Sequence, residues 1–107
     1  MLRGLAVAAA QRSPALPAVP SFAELGWPQV DAPSVYGLIG PARLPGPVVQ
    51  RLNALLVQPA ASPELRPRLE AQGYTVTVGS AEDYAALIHR EIRRWREVIA
   101  AAGVLPK

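Results

Sequence analysis

The 107-residue sequence has no cysteine, one histidine, one methionine and one phenylalanine. Without cysteine the chain can form neither a disulfide nor a thiolate metal site, and it has no cysteine nucleophile. Charged residues make up only 18% of the chain and hydrophobic residues 50%, a balance that argues against intrinsic disorder. The hydrophobic residues are mostly Ala, Val and Leu, which favours helix–sheet packing over an aromatic-rich binding surface.

The sequence also lacks the residue patterns of common enzyme sites. Its one histidine, His89, lies inside a helical pattern, and no second ligand recurs at metal-binding spacing. No G-x-S-x-G, Walker or G-x-G-x-x-G pattern occurs, and no nucleophile is paired with a base. Glu82 and Asp83 fit the first turn of a helix, where acidic groups face the positive end of the helix dipole. We therefore predict that the protein is not an enzyme and holds no metal or cofactor.

Long hydrophobic runs are absent as well. No run approaches the roughly eighteen apolar residues that a transmembrane helix requires. The run from Leu5 to Ala9 is at the short limit for a signal peptide, and Arg3 alone is a weak positive region before it. The same residues fit a short strand buried on both faces, because the run is continuous and lacks polar alternation. We therefore expect no convincing signal peptide in these residues, and we interpret residues 2–9 as a strand.

The longest predicted element is an amphipathic helix from Ser80 to Gly103. Ser80 and Asp83 have the spacing of a capping box at its start, and Gly103 suits the left-handed residue that ends many helices. A helix of this length extends for roughly 34 Å and needs a large apolar surface to pack against. Its apolar side chains recur with the spacing of a single helix face: Tyr84, Leu87, Ile88, Ile92, Trp95, Val98, Ile99 and Ala102.

Local patterns also predict the remaining elements. Apolar or β-branched runs indicate strands at 2–9, 34–39 and 74–78, and Ser and Pro at helix starts indicate helices from Pro47 and over 62–72. A proline-rich connector covers 11–20, and Ser21 with Glu24 caps one helical turn. The order β, short α, β, α, α, β, α predicts an α/β layer architecture. Three short strands form a thin sheet for so much helical apolar surface.

The basic residues cluster on the long helix beside Trp95. As a nucleic-acid patch they would contact phosphates. Glu91 and Glu97 lie three or four residues from these arginines, which is the spacing of ion pairs on a solvated helix face. We favour the solvated face and predict no nucleic-acid partner. The alternative is a freestanding, oligomerising interaction module whose Arg-rich helix docks an acidic partner or nucleic acid. The cluster consists of Arg90, Arg93, Arg94 and Arg96.

Four stretches, taken in order, resemble one known family. They are similar to the C-terminal third of Bug-type receptors, the periplasmic substrate-binding proteins of tripartite tricarboxylate transporters. The shared features are a Ser-Pro-x-Leu-Pro-x-Val-Pro segment with a following Glu-x-Gly, an Arg-Leu-Asn helix, a Gln-Gly turn and a final helix with Arg-Trp. Ser21 replaces the usual Thr, and Val35-Tyr36 stands where Trp is common. The stretches are LAVAAAQRSPALPAVPSFAELG (5–26), SVYGLIGPARLP (34–45), VVQRLNALL (48–56) and LEAQGYTVTVGSAEDYAALIHREIRRW (69–95).

The resemblance implies an α/β receptor of two lobes with a ligand cleft between them. This chain would supply part of one type II-like periplasmic-binding-protein lobe: about three short strands packed by helices, with the long helix at the C-terminal end. Residues 1–33 would form the hinge or crossover region and 34–107 the lobe segment. The receptor would capture a small carboxylate in the periplasm and deliver it to membrane permease subunits. With most of the cleft missing, we expect this chain alone not to bind ligand but to self-associate through its exposed apolar surface.

Receptors of this family are described as holding their carboxylate largely through backbone groups and ordered waters. The resemblance therefore implies ligand binding at the start of the second predicted strand, at Ser34, Val35, Tyr36 and Gly37. Ser21 is a further candidate, because the N–H groups at a helix start suit an anion. Shaping of the hinge is an alternative role for all five residues. For Gly37, a bulge or a packing requirement is the interpretation that we favour over close approach of a ligand.

Overall fold

Three α-helices provide the regular structure of the chain, of which a computed structural model describes residues 1–104. Helix α1 spans Gly46–Ala60, α2 spans Leu65–Ala71 and α3 spans Ala81–Ala101. Each of these helices lies where the sequence predicts one, whereas the short helix predicted to begin at Ser21 is a hydrogen-bonded turn in the structure. Helix α2 begins three residues later than expected, after a turn in which the Ser62 hydroxyl accepts a hydrogen bond from the N–H of Leu65 (3.1 Å).

The ends of α3 explain why it forms. The Ser80 hydroxyl accepts a hydrogen bond from the N–H of Asp83 (3.0 Å), and the Asp83 carboxylate accepts one from the N–H of Ser80 (2.9 Å). The predicted capping box is therefore confirmed, and it satisfies two N–H groups that the helix itself cannot. At the other end Gly103 adopts a positive φ of 68°, the conformation that a glycine provides at low cost.

The predicted strands 2–9, 34–39 and 74–78 are not formed in residues 1–104. Within that range the β-pairing is a single isolated parallel bridge between Val7 and Ser21. The N–H of Val7 donates to the carbonyl of Pro20, and the N–H of Phe22 donates to the carbonyl of Val7, both at 2.9 Å. A strand needs a neighbour that supplies hydrogen bonds along its length. No described segment forms such a ladder with 34–39 or 74–78. The strands of the expected α/β layering are therefore not confirmed, and the regular elements of residues 1–104 are helices.

The chain divides into two compact units. The first contains Met1–Ile39 and Gln58–Thr77, and within it the rings of Tyr36 and Tyr74 meet edge to face with centroids 5.9 Å apart. The second contains Gly40–Val57 and the described chain from Val78 onward. In this unit the Asn53 side chain of α1 donates a hydrogen bond to the carbonyl of Gly79 (2.9 Å), directly before the cap of α3. The division at residue 33 into hinge and lobe segments stays a prediction.

Apolar side chains are poorly covered in the described part of the chain. None of its hydrophobic residues is buried, and Ser21 is its one buried residue. The chain exposes 9218 Å², whereas a folded globular monomer of 11.4 kDa exposes roughly 5,800 Å². Much apolar surface that a globular domain would bury is therefore in contact with solvent. None of the described helices is long and apolar enough to cross a membrane.

Candidate ligand-binding segment

Four of the five predicted ligand-binding residues lie together in an exposed stretch without regular secondary structure. Val35 exposes 47% of its surface and Tyr36 exposes 78%, and Ser34 and Gly37 are exposed too. The backbone N–H groups of residues 34–37 donate to no other residue in the described part of the chain. Because backbone N–H groups are strong donors, they can serve an acceptor that comes from outside the chain. Carboxylate oxygens are such acceptors.

Backbone bonds hold the start of this stretch in place. The N–H of Ala32 donates to the carbonyl of Ala8 (3.0 Å), and Ala8 follows Val7, which bridges to Ser21. At the other end the Tyr36 ring packs against Tyr74. The stretch is thus attached on both sides of Ser34 and Val35, while the backbone N–H groups of these two residues make no hydrogen bond within the described part of the chain.

Ser21, the fifth predicted residue, is placed differently. It is fully buried, and its hydroxyl accepts a hydrogen bond from the N–H of Glu24 at 3.2 Å. The hydroxyl also lies within donating distance of the Ala10 carbonyl (3.5 Å) and the Glu24 carboxylate (3.3 Å). The N–H of Ser21 donates to the same carboxylate (3.4 Å). The capping box predicted for Ser21 and Glu24 is confirmed. The ligand role of Ser21 stays a prediction, one that requires a ligand carboxylate to replace Glu24.

Glu24 is held by a residue that sequence reasoning missed. The Arg12 guanidinium donates from Nε to both carboxylate oxygens of Glu24 at 2.9 Å and from Nη2 to Oε2 at 2.6 Å. These bonds are the main reason that the pKa of Glu24 is lowered from its ordinary value, and the N–H of Ser21 adds to the effect. The sequence pattern that could have indicated this ion pair is the family motif. Arg12 precedes its Ser-Pro segment, and Glu24 is the acidic residue of its Glu-x-Gly. Local spacing alone predicts only the capping role of Glu24.

The charged face of α3 contains the other side chains with candidate roles. His89, Arg90, Arg93 and Arg96 are exposed. Arg94 lies 3.8 Å from the Glu91 carboxylate and 5.6 Å from the centre of the Trp95 ring, so the predicted pairing of Glu91 with Arg94 is confirmed. The indole N–H of Trp95 donates to the same carboxylate (3.1 Å). Among residues 1–104, no three His, Asp or Glu side chains cluster closely enough to hold a metal ion.

Comparison with known proteins gives this arrangement a context. The sequence profile of the tripartite tricarboxylate transporter family receptors matches residues 1–104. The chain belongs to this receptor family. The match confirms the resemblance to Bug-type receptors and does not favour the alternative of a freestanding interaction module. No solved structure matches the chain.

Individual relatives agree with the family assignment. The chain is 30% identical over 102 residues to protein BugT of Bordetella pertussis, which covers 95% of this chain and 31% of BugT. It is 34% identical over 99 residues to the UPF0065 protein in the tcbD-tcbE intergenic region of Pseudomonas sp. strain P51. This match covers 92% of the chain and 30% of the relative. A UPF0065 protein in the clcB-clcD intergenic region of Pseudomonas knackmussii is 28% identical over 99 residues. This match covers 92% of the chain and 59% of the relative. The chain thus spans 31% and 30% of the lengths of the first two relatives.

Proposed function

We propose that this chain is part of a solute-binding receptor that captures a small carboxylate in the periplasm. The receptor delivers the acid to the membrane permease subunits of a tripartite tricarboxylate transporter. The observation that carries this proposal is the match of the receptor family over residues 1–104. The exposed residues 34–37 support it, because their N–H groups donate to no other described residue and a carboxylate is stabilised by several backbone donors. In this role the chain binds and releases its ligand without chemical change.

Within the receptor, Ser34, Val35, Tyr36 and Gly37 contribute backbone donors to one wall of a cleft between two lobes. Ser21 joins them when a ligand carboxylate takes the position of Glu24. Residues 1–33 act as the hinge or crossover region, and the rest of the chain belongs to one lobe. The segments 2–9, 34–39 and 74–78 become strands when the remainder of the receptor supplies their neighbours.

By itself the chain binds no carboxylate, because it spans only about a third of the length of BugT and forms only part of a cleft. Its uncovered apolar side chains instead drive self-association. The lack of binding and the self-association have one common cause. Surface that the rest of a receptor would cover is exposed here.

The test is a chimera in which residues 1–104 replace the matched segment of BugT. Unaltered BugT is first screened by thermal shift and calorimetry against mono-, di- and tricarboxylates, which identifies the acid to use as a reference. We expect the chimera to bind at least one acid of the panel, whereas the isolated chain binds none. A chimera with the circular dichroism of a folded receptor and no affinity for any acid of the panel would contradict the proposal.

Two variants of the chimera test the binding segment. Val35→Pro removes one backbone donor, whereas Val35→Ala keeps that donor and removes only the two methyl groups of the valine. Because a hydrogen bond to a charged group contributes about 1.5–3 kcal/mol, we expect Val35→Pro to weaken carboxylate binding by about tenfold or more. Val35→Ala should leave it nearly unchanged. Equal affinities for the two variants would exclude this N–H as a ligand.

A further inference from the structure

We infer that Arg12 is a positioning residue for the candidate ligand-binding segment, residues 34–37. Arg12 acts through Glu24, Ser21 and the backbone of residues 7–8, and it donates no hydrogen bond to the ligand. The inference rests on the proposed function and gives Arg12 a role in carboxylate binding beyond its ion pair with Glu24.

The guanidinium of Arg12 donates hydrogen bonds from all three of its nitrogens. Nε and Nη2 contact the Glu24 carboxylate at 2.9 Å and 2.6 Å, and Nη1 donates to the carbonyl of Pro17 at 2.9 Å. A single exposed ion pair contributes little, but a two-pronged contact from a planar guanidinium fixes geometry as well as charge. Lysine cannot reproduce this contact, because its ammonium is a compact point charge. The Glu24 carboxylate is therefore held in one orientation.

The oriented carboxylate of Glu24 in turn holds Ser21. It accepts the N–H of Ser21 (3.4 Å) and lies 3.3 Å from the Ser21 hydroxyl, which itself accepts the N–H of Glu24 (3.2 Å). Ser21 is fully buried, so water does not compete for these hydrogen bonds. The position of Ser21 thus depends on a carboxylate that Arg12 keeps in place.

Backbone contacts connect Ser21 to the ligand-binding segment. Ser21 forms the parallel bridge with Val7, and the next residue, Ala8, accepts a hydrogen bond from the N–H of Ala32 (3.0 Å). Pro33, with its fixed φ, joins Ala32 to the segment. All of these residues lie in the first compact unit. The contacts therefore run without a gap from the guanidinium to the start of the segment.

The ligand-binding segment has few contacts of its own that could orient its donors. The N–H groups of residues 34–37 donate to no other described residue. Their placement depends on the hydrogen bond from Ala32 before them and on the packing of Tyr36 against Tyr74 after them. Donors that are already in place lose less conformational freedom when a ligand binds, which raises affinity. Loss of the Arg12 contacts should therefore weaken carboxylate binding from a distance.

Amide hydrogen exchange of the full chain, followed by NMR, tests the contacts without any ligand. We expect Arg12→Gln to speed exchange at Ala32 by about fivefold or more. Exchange at Tyr84, whose N–H donates to the carbonyl of Ser80 in the second unit (3.2 Å), should not change. Arg12→Lys keeps one charged donor and should give an intermediate rate. Unchanged exchange at Ala32 would overturn the inference, and so would equal acceleration at both amides, which indicates a general loss of stability.

The BugT chimera tests the effect on binding. We expect Arg12→Gln to weaken its affinity for the reference acid by about fivefold or more, and Arg12→Lys to restore part of that affinity. Arg66→Gln is the matched control, because it breaks an ion pair of similar exposure within α2 and should leave the affinity unchanged. The stoichiometry of binding in calorimetry verifies that each variant is fully folded.

A double-mutant cycle tests the route from Arg12 to the segment. Ala32→Pro removes the N–H that reaches Ala8. In a chimera with this change, Arg12→Gln should weaken binding less than in the unaltered chimera, because residues that act through the same contacts have non-additive effects. Additive losses would show that Arg12 does not act through this hydrogen bond.

The outcomes for Arg12 can be separated from those for the proposed function. An unaltered chimera that binds no acid would contradict the proposed function, and the role of Arg12 in binding would fail with it. A chimera that binds the acid equally well with Arg12→Gln would overturn only the role of Arg12.

Discussion

Arg12 and Glu24 form a bidentate ion pair across twelve residues of chain, with Nε 2.9 Å from both carboxylate oxygens. Arg12 also donates to the carbonyl of Pro17 (2.9 Å), and Glu24 accepts from the N–H of Ser21 (3.4 Å). The proline-rich connector is therefore closed by charged and backbone hydrogen bonds. In a chain whose described residues bury no apolar side chain, this polar cluster is what fixes the connector.

Removal of the Glu24 charge should lower the thermal midpoint of the chain. Glu24→Gln keeps the size of the side chain but loses the ion pair with Arg12 and weakens the bond from Ser21. Glu70→Gln is the matched control, because the pair of Arg66 and Glu70 is exposed to a similar degree but lies within one helix and has a single hydrogen bond (2.9 Å), and such pairs contribute little. We expect the larger shift for Glu24→Gln in melts followed at 222 nm. Equal shifts would show that the connector does not depend on this pair.

Acid should destabilise the chain through two carboxylates. Hydrogen bonds from Arg12 lower the pKa of Glu24, and the backbone N–H of Ser80 lowers the pKa of Asp83. In the unfolded chain such groups titrate near pH 4, so the unfolded state binds more protons than the folded state just below that range. Stability therefore rises with pH, is fully present above about pH 5, and is lost as the pH falls through the lowered pKa values.

The measurement is the thermal midpoint between pH 3 and pH 7 for the unaltered chain, Glu24→Gln and Asp83→Asn. In each variant the thermal midpoint should fall less between pH 7 and pH 3 than in the unaltered chain. In the double variant Glu24→Gln with Asp83→Asn it should fall less still. If the double variant kept the full dependence, other carboxylates would have to be responsible.

Asn53→Ala should loosen the contact between α1 and the start of α3. The Asn53 side chain donates to the carbonyl of Gly79, and a typical intramolecular hydrogen bond contributes about 1 kcal/mol. We expect a loss of this size in urea unfolding, compared with almost none for Gln50→Ala, an exposed position on the same helix. No difference between the two variants would mean that the hydrogen bond adds nothing to stability.

Gly73→Ala should destabilise the turn after α2 by about 1–2 kcal/mol, the cost of the left-handed conformation for a residue with a side chain. Gly73 has a φ of 88°, and an added Cβ would meet only Ala15 at 3.8 Å. The cost is therefore in the backbone, not in a clash. Gly46→Ala is the control, since a Cβ there meets nothing within 4 Å and the φ is not positive. A neutral Gly73→Ala would argue against this turn.

The helices of this chain can be predicted from its sequence because their signals are local. Ser80 and Asp83 are three residues apart, and Gly73 and Gly103 follow the helices that they end. The strands cannot be predicted in the same way. The alternation of Tyr74 to Val78 identifies which side chains share a face, but the hydrogen bonds of a strand depend on a neighbour that the alternation does not name.

The candidate ligand-binding segment shows the same limit. The order of motifs shared with the receptor family points to residues 34–37, and these are exposed in the structure. The environment of Ser21 was not predictable from local spacing alone. It depends on Arg12, which reaches Glu24 across a connector whose path is set by prolines and by no helical or strand periodicity.

The complete burial of Ser21, alone among the described residues, has a calorimetric consequence. The heat capacity of unfolding rises with the apolar surface that becomes hydrated and falls with the polar surface. Since the most shielded side chain is a hydroxyl and the described apolar side chains are at least partly hydrated already, the isolated chain has less new apolar surface to expose than a globular domain of its size. Its heat capacity change should fall below the usual value of about 12–15 cal/mol/K per residue, and its endotherm should be broad.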